Sequence, residues 1–181
     1  MNKAIYFDMD GTIADLYGVS GWLADLESEN VRPYAEALPL VNLSLLARYI
    51  HKAQKMGYTV GVISWLSKCG SDDYNERVTA VKREWLAKHL PSVEWDEIHI
   101  VKYGTPKSTC RTCPGILFDD EQRNLDEWGK GAVIAQEMMN AFKHLNNLEV
   151  LIMMRTSKFN LTFTFICCII VDEREVIQNE R

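Results

Sequence analysis

The sequence predicts a three-layer α/β domain, with a mostly parallel central sheet and helices on both faces. Three observations carry that reading. Strand-like runs alternate with helix-like runs through most of the chain, the pattern in which crossover helices connect parallel strands. Three of the strand-like runs end on polar residues: Asp8 and Asp10, Ser64, and Asp119 and Asp120. Open sheets of this kind bind ligands outside the carboxyl ends of their strands, so these ends deliver polar groups to one edge. Finally, 181 residues, 47% of them apolar, are enough for one domain with a sizeable core.

Each element has its own signal. Residues 3–7, KAIYF, are β-formers that stop at polar residues, as a short buried strand does. Residues 16–40 are punctuated by Gly18, Gly21, Pro33 and Pro39, with one short helix expected near GWLADLESE. Over 41–56, Leu45, Leu46, Tyr49, Ile50 and Ala53 recur at helical spacing, and Gly57 follows as a stop. YTVGVIS, 58–64, is a β-branched run ending on Ser64. Residues 72–89 read as a helix with the stripe Val78, Val81, Trp85 and Leu86, capped by Asp72 or Asp73 and ended by Pro91. EIHIV, 97–101, is a strand, and a loop with Gly104 and Pro106 leads to GILFDD, 115–120, a strand ending on aspartates. RNLDEW is a helical turn, AVIA a short strand and 136–146 a last helix. Beyond 147, Leu161, Phe163 and Phe165 alternate with Thr162 and Thr164, the period of a half-buried strand, with LEVLIMM as a hairpin partner.

Composition narrows the function. A net charge of -5 gives no basic footprint for long nucleic acid, while a small phosphorylated substrate needs only a local cation or metal. The five cysteines are odd in number, and aspartates precede any long apolar stretch, so no signal peptide is expected. That points to free thiols in a reducing, cytoplasmic setting. Cys110 and Cys113 form one CxxC without a second pair at zinc-site spacing, which reads as a loop with two thiols. The apolar run LTFTFICCIIV is well short of the ~20 residues a membrane span needs, so no membrane partner is expected.

The strand-end carboxylates carry the chemistry. Asp8 and Asp10 flank one residue, and Gly11 and Thr12 make a turn whose backbone amides suit phosphate oxygens. With Asp119 and Asp120 at the same edge, like charges repel unless a cation sits among them. Oxygen-only ligands suit Mg²⁺ shared with a substrate phosphate.

FDMDGT, VIS ending on Ser64, and ILFDDEQRN resemble motifs one, two and four of the haloacid dehalogenase-like (HAD) hydrolases, over residues 3–146. GTPKS supplies Lys107 as the lysine of motif three, with Lys102 in IVKYG as the runner-up. The resemblance implies a Rossmann-like catalytic domain over 1–147 and phosphoryl transfer through an aspartyl-phosphate. Asp8 is then the nucleophile. Asp10 is the general acid and base, with its backbone carbonyl toward the metal. Gly11, Thr12, Ser64 and Lys107 contact the phosphate. Asp8 also belongs to the Mg²⁺ site, Asp119 ligates Mg²⁺ directly, Asp120 through water, and Asn124 orients the acidic loop.

Within that family the chain is most similar to 5'(3')-deoxyribonucleotidase-like phosphatases, on the doubled aspartate of motif four, the VKREWLAKHLP helix and the short insertion after motif one. Residues 16–40 become a small cap, and Trp22, Tyr34 and Trp65 are candidates to stack on a base. The expected activity is a Mg²⁺-dependent phosphomonoesterase acting on a nucleotide. Another small phosphomonoester, or a non-catalytic partner-binding module of the same fold, are the alternatives. The tail over 148–181 departs from the family pattern. It is expected to be a strand-rich extension, lying at a sheet edge or forming a contact between two copies of the chain.

Overall fold

In a computed structural model the structure describes residues 3–144. The chain divides into two units, Met1–Ala141 and Phe142–Arg181. The elements below belong to the first; of the second, residues 142–144 are described and are helical. The expected extension over 148–181, with Cys167 and Cys168, lies outside the described residues.

Five parallel strands form the central sheet: β1 Lys3–Phe7, β4 Tyr58–Trp65, β5 Glu97–Val101, β6 Gly115–Asp119 and β7 Ala132–Ile134, in the spatial order β5-β4-β1-β6-β7. Two two-residue strands, β2 Ala14–Asp15 and β3 Leu38–Pro39, pair antiparallel outside it. The helices with both ends described are α1 Trp22–Glu27, α2 Arg32–Glu36, α3 Leu43–Lys55, α4 Asp72–His89 and α5 Gln122–Trp128, and residues 138–144, within the expected last helix, are also helical.

The sheet's strands read as near-continuous apolar runs because both faces are covered. β1 registers Tyr6 against Gly61 and Leu117. Ala4, Tyr6, Ile63 and Leu117 share one face with Trp128 of α5. Phe7 and Phe118 stack on the other, with centroids 5.5 Å apart. From β1 the chain moves through α3 to β4 and through α4 to β5; from β6 it moves the opposite way through α5 to β7. Right-handed crossovers therefore put α3 and α4 on one face and α5 on the other. The direction reverses between β1 and β6, and that crevice is where such a sheet binds its ligand.

Local signals set most boundaries. Asn42 caps α3 by accepting from the Leu45 amide at 3.0 Å, and Gly57 follows its end at φ 82°. At α4 the cap is Ser71, one residue before the expected aspartates: its hydroxyl accepts from the Tyr74 amide at 3.2 Å. Ser71 has extended φ/ψ of -61° and 163°, whereas Asp72 and Asp73 occupy the first turn, where their charge suits the helix dipole. That helix also ends at His89, two residues ahead of Pro91.

The insertion over 16–40 holds α1, α2 and β3. It is pinned to α4 at three places: Glu29 accepts from the Ser71 amide at 2.6 Å, the Tyr74 hydroxyl donates to Asn30 O at 3.1 Å, and Trp85 Nε1 donates to Ala37 O at 2.8 Å. Cys69, Cys110 and Cys113 are free thiols, the last two packed against the Tyr6–Trp128 cluster. Among the described residues, no helix is long and apolar enough to cross a membrane.

Candidate active site

The strand ends beside the β1–β6 crevice meet at one edge. Asp8 directly follows β1, and its amide donates to Phe118 O of β6 at 2.8 Å, carrying the ladder one residue further. Asp119 closes β6 and is fully buried. Oxygen atoms of Asp8, Asp119 and Asp120 lie within 4.8 Å of one another.

Lys107 binds this group together. It opens a 3-10 turn, Lys107–Cys110, is 1% exposed, and its ammonium donates to Asp8 Oδ1 at 2.5 Å and Asp119 Oδ2 at 2.6 Å. Burial works against its charge, but Asp8 and Asp119 outweigh burial and hold its pKa above the ordinary lysine value. Lys102, the runner-up by sequence, is exposed. Asn124 Nδ2 donates to both oxygens of Asp119 at 3.1 Å, and the Glu121 amide adds a bond of 2.9 Å.

Gly11 makes the turn after Asp10 possible. Its φ is 80°, and a Cβ there would stand 2.2 Å from Asp120 Oδ2, so the turn needs glycine both for conformation and for space. Thr12 Oγ1 donates to Asp120 Oδ1 at 3.3 Å.

The Asp10 side chain takes a different partner. Lys82, on α4, is fully buried and donates to Asp10 Oδ2 at 2.5 Å, Ser64 Oγ at 2.9 Å and Trp65 O at 2.6 Å. Sequence reading missed this residue. The available signal was its position: Lys82 stands on the buried face of α4 with Val78, Trp85 and Leu86, four before, three after and four after it. A lysine on such a face needs a partner for its charge.

The carboxylates are short of positive charge. Four of them share two hydrogen-bonded ammonium groups. Burial, then the Asp8 and Asp119 charges, push Asp120 up to about 7. Burial also raises Asp119, with Asp8 adding to it, and raises Asp10 despite Lys82. Three oxygen ligands and two uncompensated negative charges fit a hard divalent cation such as Mg²⁺.

The edge opens into a cavity of about 470 Å³ lined by Asp8, Asp10, Lys107, Asp119, Asp120 and Asn124 at its floor. Trp65 and Tyr103 form one wall, with ring centroids 5.0 Å apart, and Arg123 lies 4.7 Å from the Trp65 ring. Tyr17 and Trp22, edge to face at 5.0 Å, line the side contributed by the insertion, together with Tyr34. The stacking candidates Trp22, Tyr34 and Trp65 thus all reach one cavity, and Tyr17 and Tyr103 join them. Thr12 and Ser64 are buried and do not line it; the Ser64 hydroxyl oxygen is engaged by Lys82.

An α/β protein with an acidic cluster at the switch point of its sheet is the class these features define. No family model matches the chain, and no curated protein does. Among solved structures it is similar to D,D-heptose 1,7-bisphosphate phosphatase from Burkholderia thailandensis, with a TM-score of 0.44 and 15% identity, over 70% of this chain and 72% of that one.

Proposed function

We infer that the protein is a Mg²⁺-dependent phosphomonoesterase of the haloacid dehalogenase-like type, working through an acyl phosphate on Asp8. The observation that carries this reading is the split pairing of two carboxylates two residues apart. Asp8 faces Lys107 beside the acidic cluster, while Asp10 faces Lys82. Neighbouring carboxylates in different surroundings can take different roles, one as nucleophile and one as acid and base.

The steps follow from those positions. An Asp8 oxygen attacks phosphorus, and the bond from phosphorus to the substrate's ester oxygen breaks. Asp10 gives its proton to that leaving oxygen. Asp10 then takes a proton from a water whose oxygen attacks phosphorus. The bond from phosphorus to Asp8 breaks, inorganic phosphate leaves and Asp8 is restored. Lys107 spreads the charge that develops on Asp8 and the phosphoryl oxygens. Asp8, Asp119 and Asp120 would hold Mg²⁺, with the Asp10 backbone carbonyl beside them. When bound, the cation neutralises charge on the phosphoryl group. Asn124 fixes Asp119 for that task.

The aromatic walls favour an alcohol with a flat face, and a nucleotide satisfies both walls and floor. The test is hydrolysis of para-nitrophenyl phosphate with Mg²⁺, followed by a panel of nucleotides and sugar phosphates. Wild type should turn over and lose activity on chelation, and Asp8→Asn should be inactive. If neither protein releases phosphate from any member of the panel, the enzyme reading fails and a binding role replaces it. If sugar phosphates are preferred to nucleotides, the phosphatase stands and the nucleotide assignment falls.

A further inference from the structure

The phosphatase reading leaves Lys82 unexplained: a fully buried ammonium on α4 that touches neither Asp8 nor the acidic cluster through any bond named above. An ammonium has three protons to donate. Lys82 spends them on Asp10 Oδ2, Ser64 Oγ and Trp65 O, at 2.5, 2.9 and 2.6 Å. Two of these acceptors belong to the end of β4, a central strand of the sheet. The Tyr34 ring lies 5.0 Å from the ammonium, and that residue is itself 3% exposed. The charge is therefore held by a strand end and an aromatic face, and presented to one oxygen of one carboxylate.

Resting on that phosphatase reading, we propose that Lys82 is a positioning residue for Asp10: it fixes the carboxyl group through Oδ2 so that Oδ1 meets the ester oxygen leaving phosphorus. The proton moves from Asp10 Oδ1 to the leaving oxygen as the phosphorus–oxygen bond breaks, and Lys82 keeps its own protons throughout. A carboxyl held on one side by a rigid donor has one orientation to offer, and orientation is a large part of what proton transfer in a site requires. The same arrangement recasts Ser64. Its hydroxyl accepts from Lys82 and does not line the cavity, so it supports the ammonium rather than the substrate.

The consequence is a dependence on the leaving group. An unactivated alkoxide needs a proton as it departs, whereas para-nitrophenolate leaves without one. Steady-state kinetics on ethyl phosphate and on para-nitrophenyl phosphate, with Mg²⁺, measure this in wild type, Asp10→Asn, Lys82→Met and Lys82→Gln, with a thermal melt of each. In kcat/KM, which reads transfer to Asp8 and not the later hydrolysis that both esters share, Asp10→Asn should lose about 10²–10⁴-fold on ethyl phosphate and far less on the aryl ester. Both Lys82 variants should show the same bias, smaller in size, without a matching rise in KM. Inactivity of wild type on both esters would overturn the phosphatase reading itself. A biased loss in Asp10→Asn with an equal loss on both esters in the Lys82 variants would overturn the positioning role alone. So would failure of both Lys82 variants to fold, since Lys82 would then be a structural group.

Discussion

Asp8 and Asp10 lie two residues apart, yet their carboxylates meet different ammonium groups, Lys107 and Lys82. At this scale Lys107 is the more exposed to test. Lys107→Met should lower kcat about 10²–10³-fold, the usual loss when a donor to developing charge is removed. It also leaves Asp8 and Asp119 buried without their cation, so the metal-free protein should lose about 3–5 kcal/mol in urea unfolding. Gly11→Ala places a methyl into Asp120 and forces alanine into a left-handed φ. It should cost at least about 1–2 kcal/mol, read as a lowered Tm, and weaken activation by Mg²⁺ because Asp120 must move. The aspartates were legible in the sequence because strand ends expose them as polar punctuation, whereas Lys107 came from the family resemblance, as the lysine preceding the acidic motif, with Lys102 as its rival. Lys82 was not legible. Helix periodicity treats a lysine as a break in the apolar stripe, and its acceptors come from segments far apart in the chain, Asp10 on one side and Ser64 and Trp65 on the other. Tyr17 and Tyr103 escaped for a related reason: each is an ordinary loop aromatic until the fold sets it on the cavity wall.

At the scale of elements, the insertion is held against the amino end of α4 by Glu29 and Ser71. Ser71 also caps that helix. Ser71→Ala removes the cap and the hydroxyl bond to Glu29 while keeping the amide bond, and should cost about 0.5–2 kcal/mol through the cap alone. The two bonds from Ser71 hold the Glu29 carboxyl below its ordinary value of 4.5. A carboxyl with a lower pKa folded than unfolded stabilises the fold fully above the unfolded value, and that contribution disappears as pH falls through the folded value. The Glu29 contribution to Tm should therefore fade as pH drops below about 4.5, so the Tm difference between wild type and Glu29→Gln should be present at neutral pH and shrink in acid. Differential scanning across the acid range measures both. The long helices and all five sheet strands were legible because period and apolar content agree. The short α2 was not, since Pro33 reads as a break although proline is favoured in a first helical turn. The Ser71 cap was hidden by two better-looking aspartates, Asp72 and Asp73, which already lie in the first helical turn.

For the whole molecule, the reversal of winding between β1 and β6 decides where the acidic cluster sits. It brings Asp8 and Asp119 to adjacent strand ends, and the insertion after β1 then lays aromatic side chains over the same edge. If a nucleotide base occupies that space, Trp65→Ala should raise KM for nucleotides by about 5- to 150-fold, in line with the 1–3 kcal/mol that base stacking contributes, while ethyl phosphate is little affected. Competitive kinetics with the two substrate types separate the cases. The proposed chemistry rests on Asp8 carrying the phosphoryl group. Acid-quenching the enzyme during turnover, reducing with borohydride and mapping peptides by mass locates any acyl phosphate directly. Asp8 should be modified in wild type, and no modification should appear in Asp8→Asn. Turnover with an unmodified Asp8, or a phosphoryl group trapped on another residue, would contradict that chemistry.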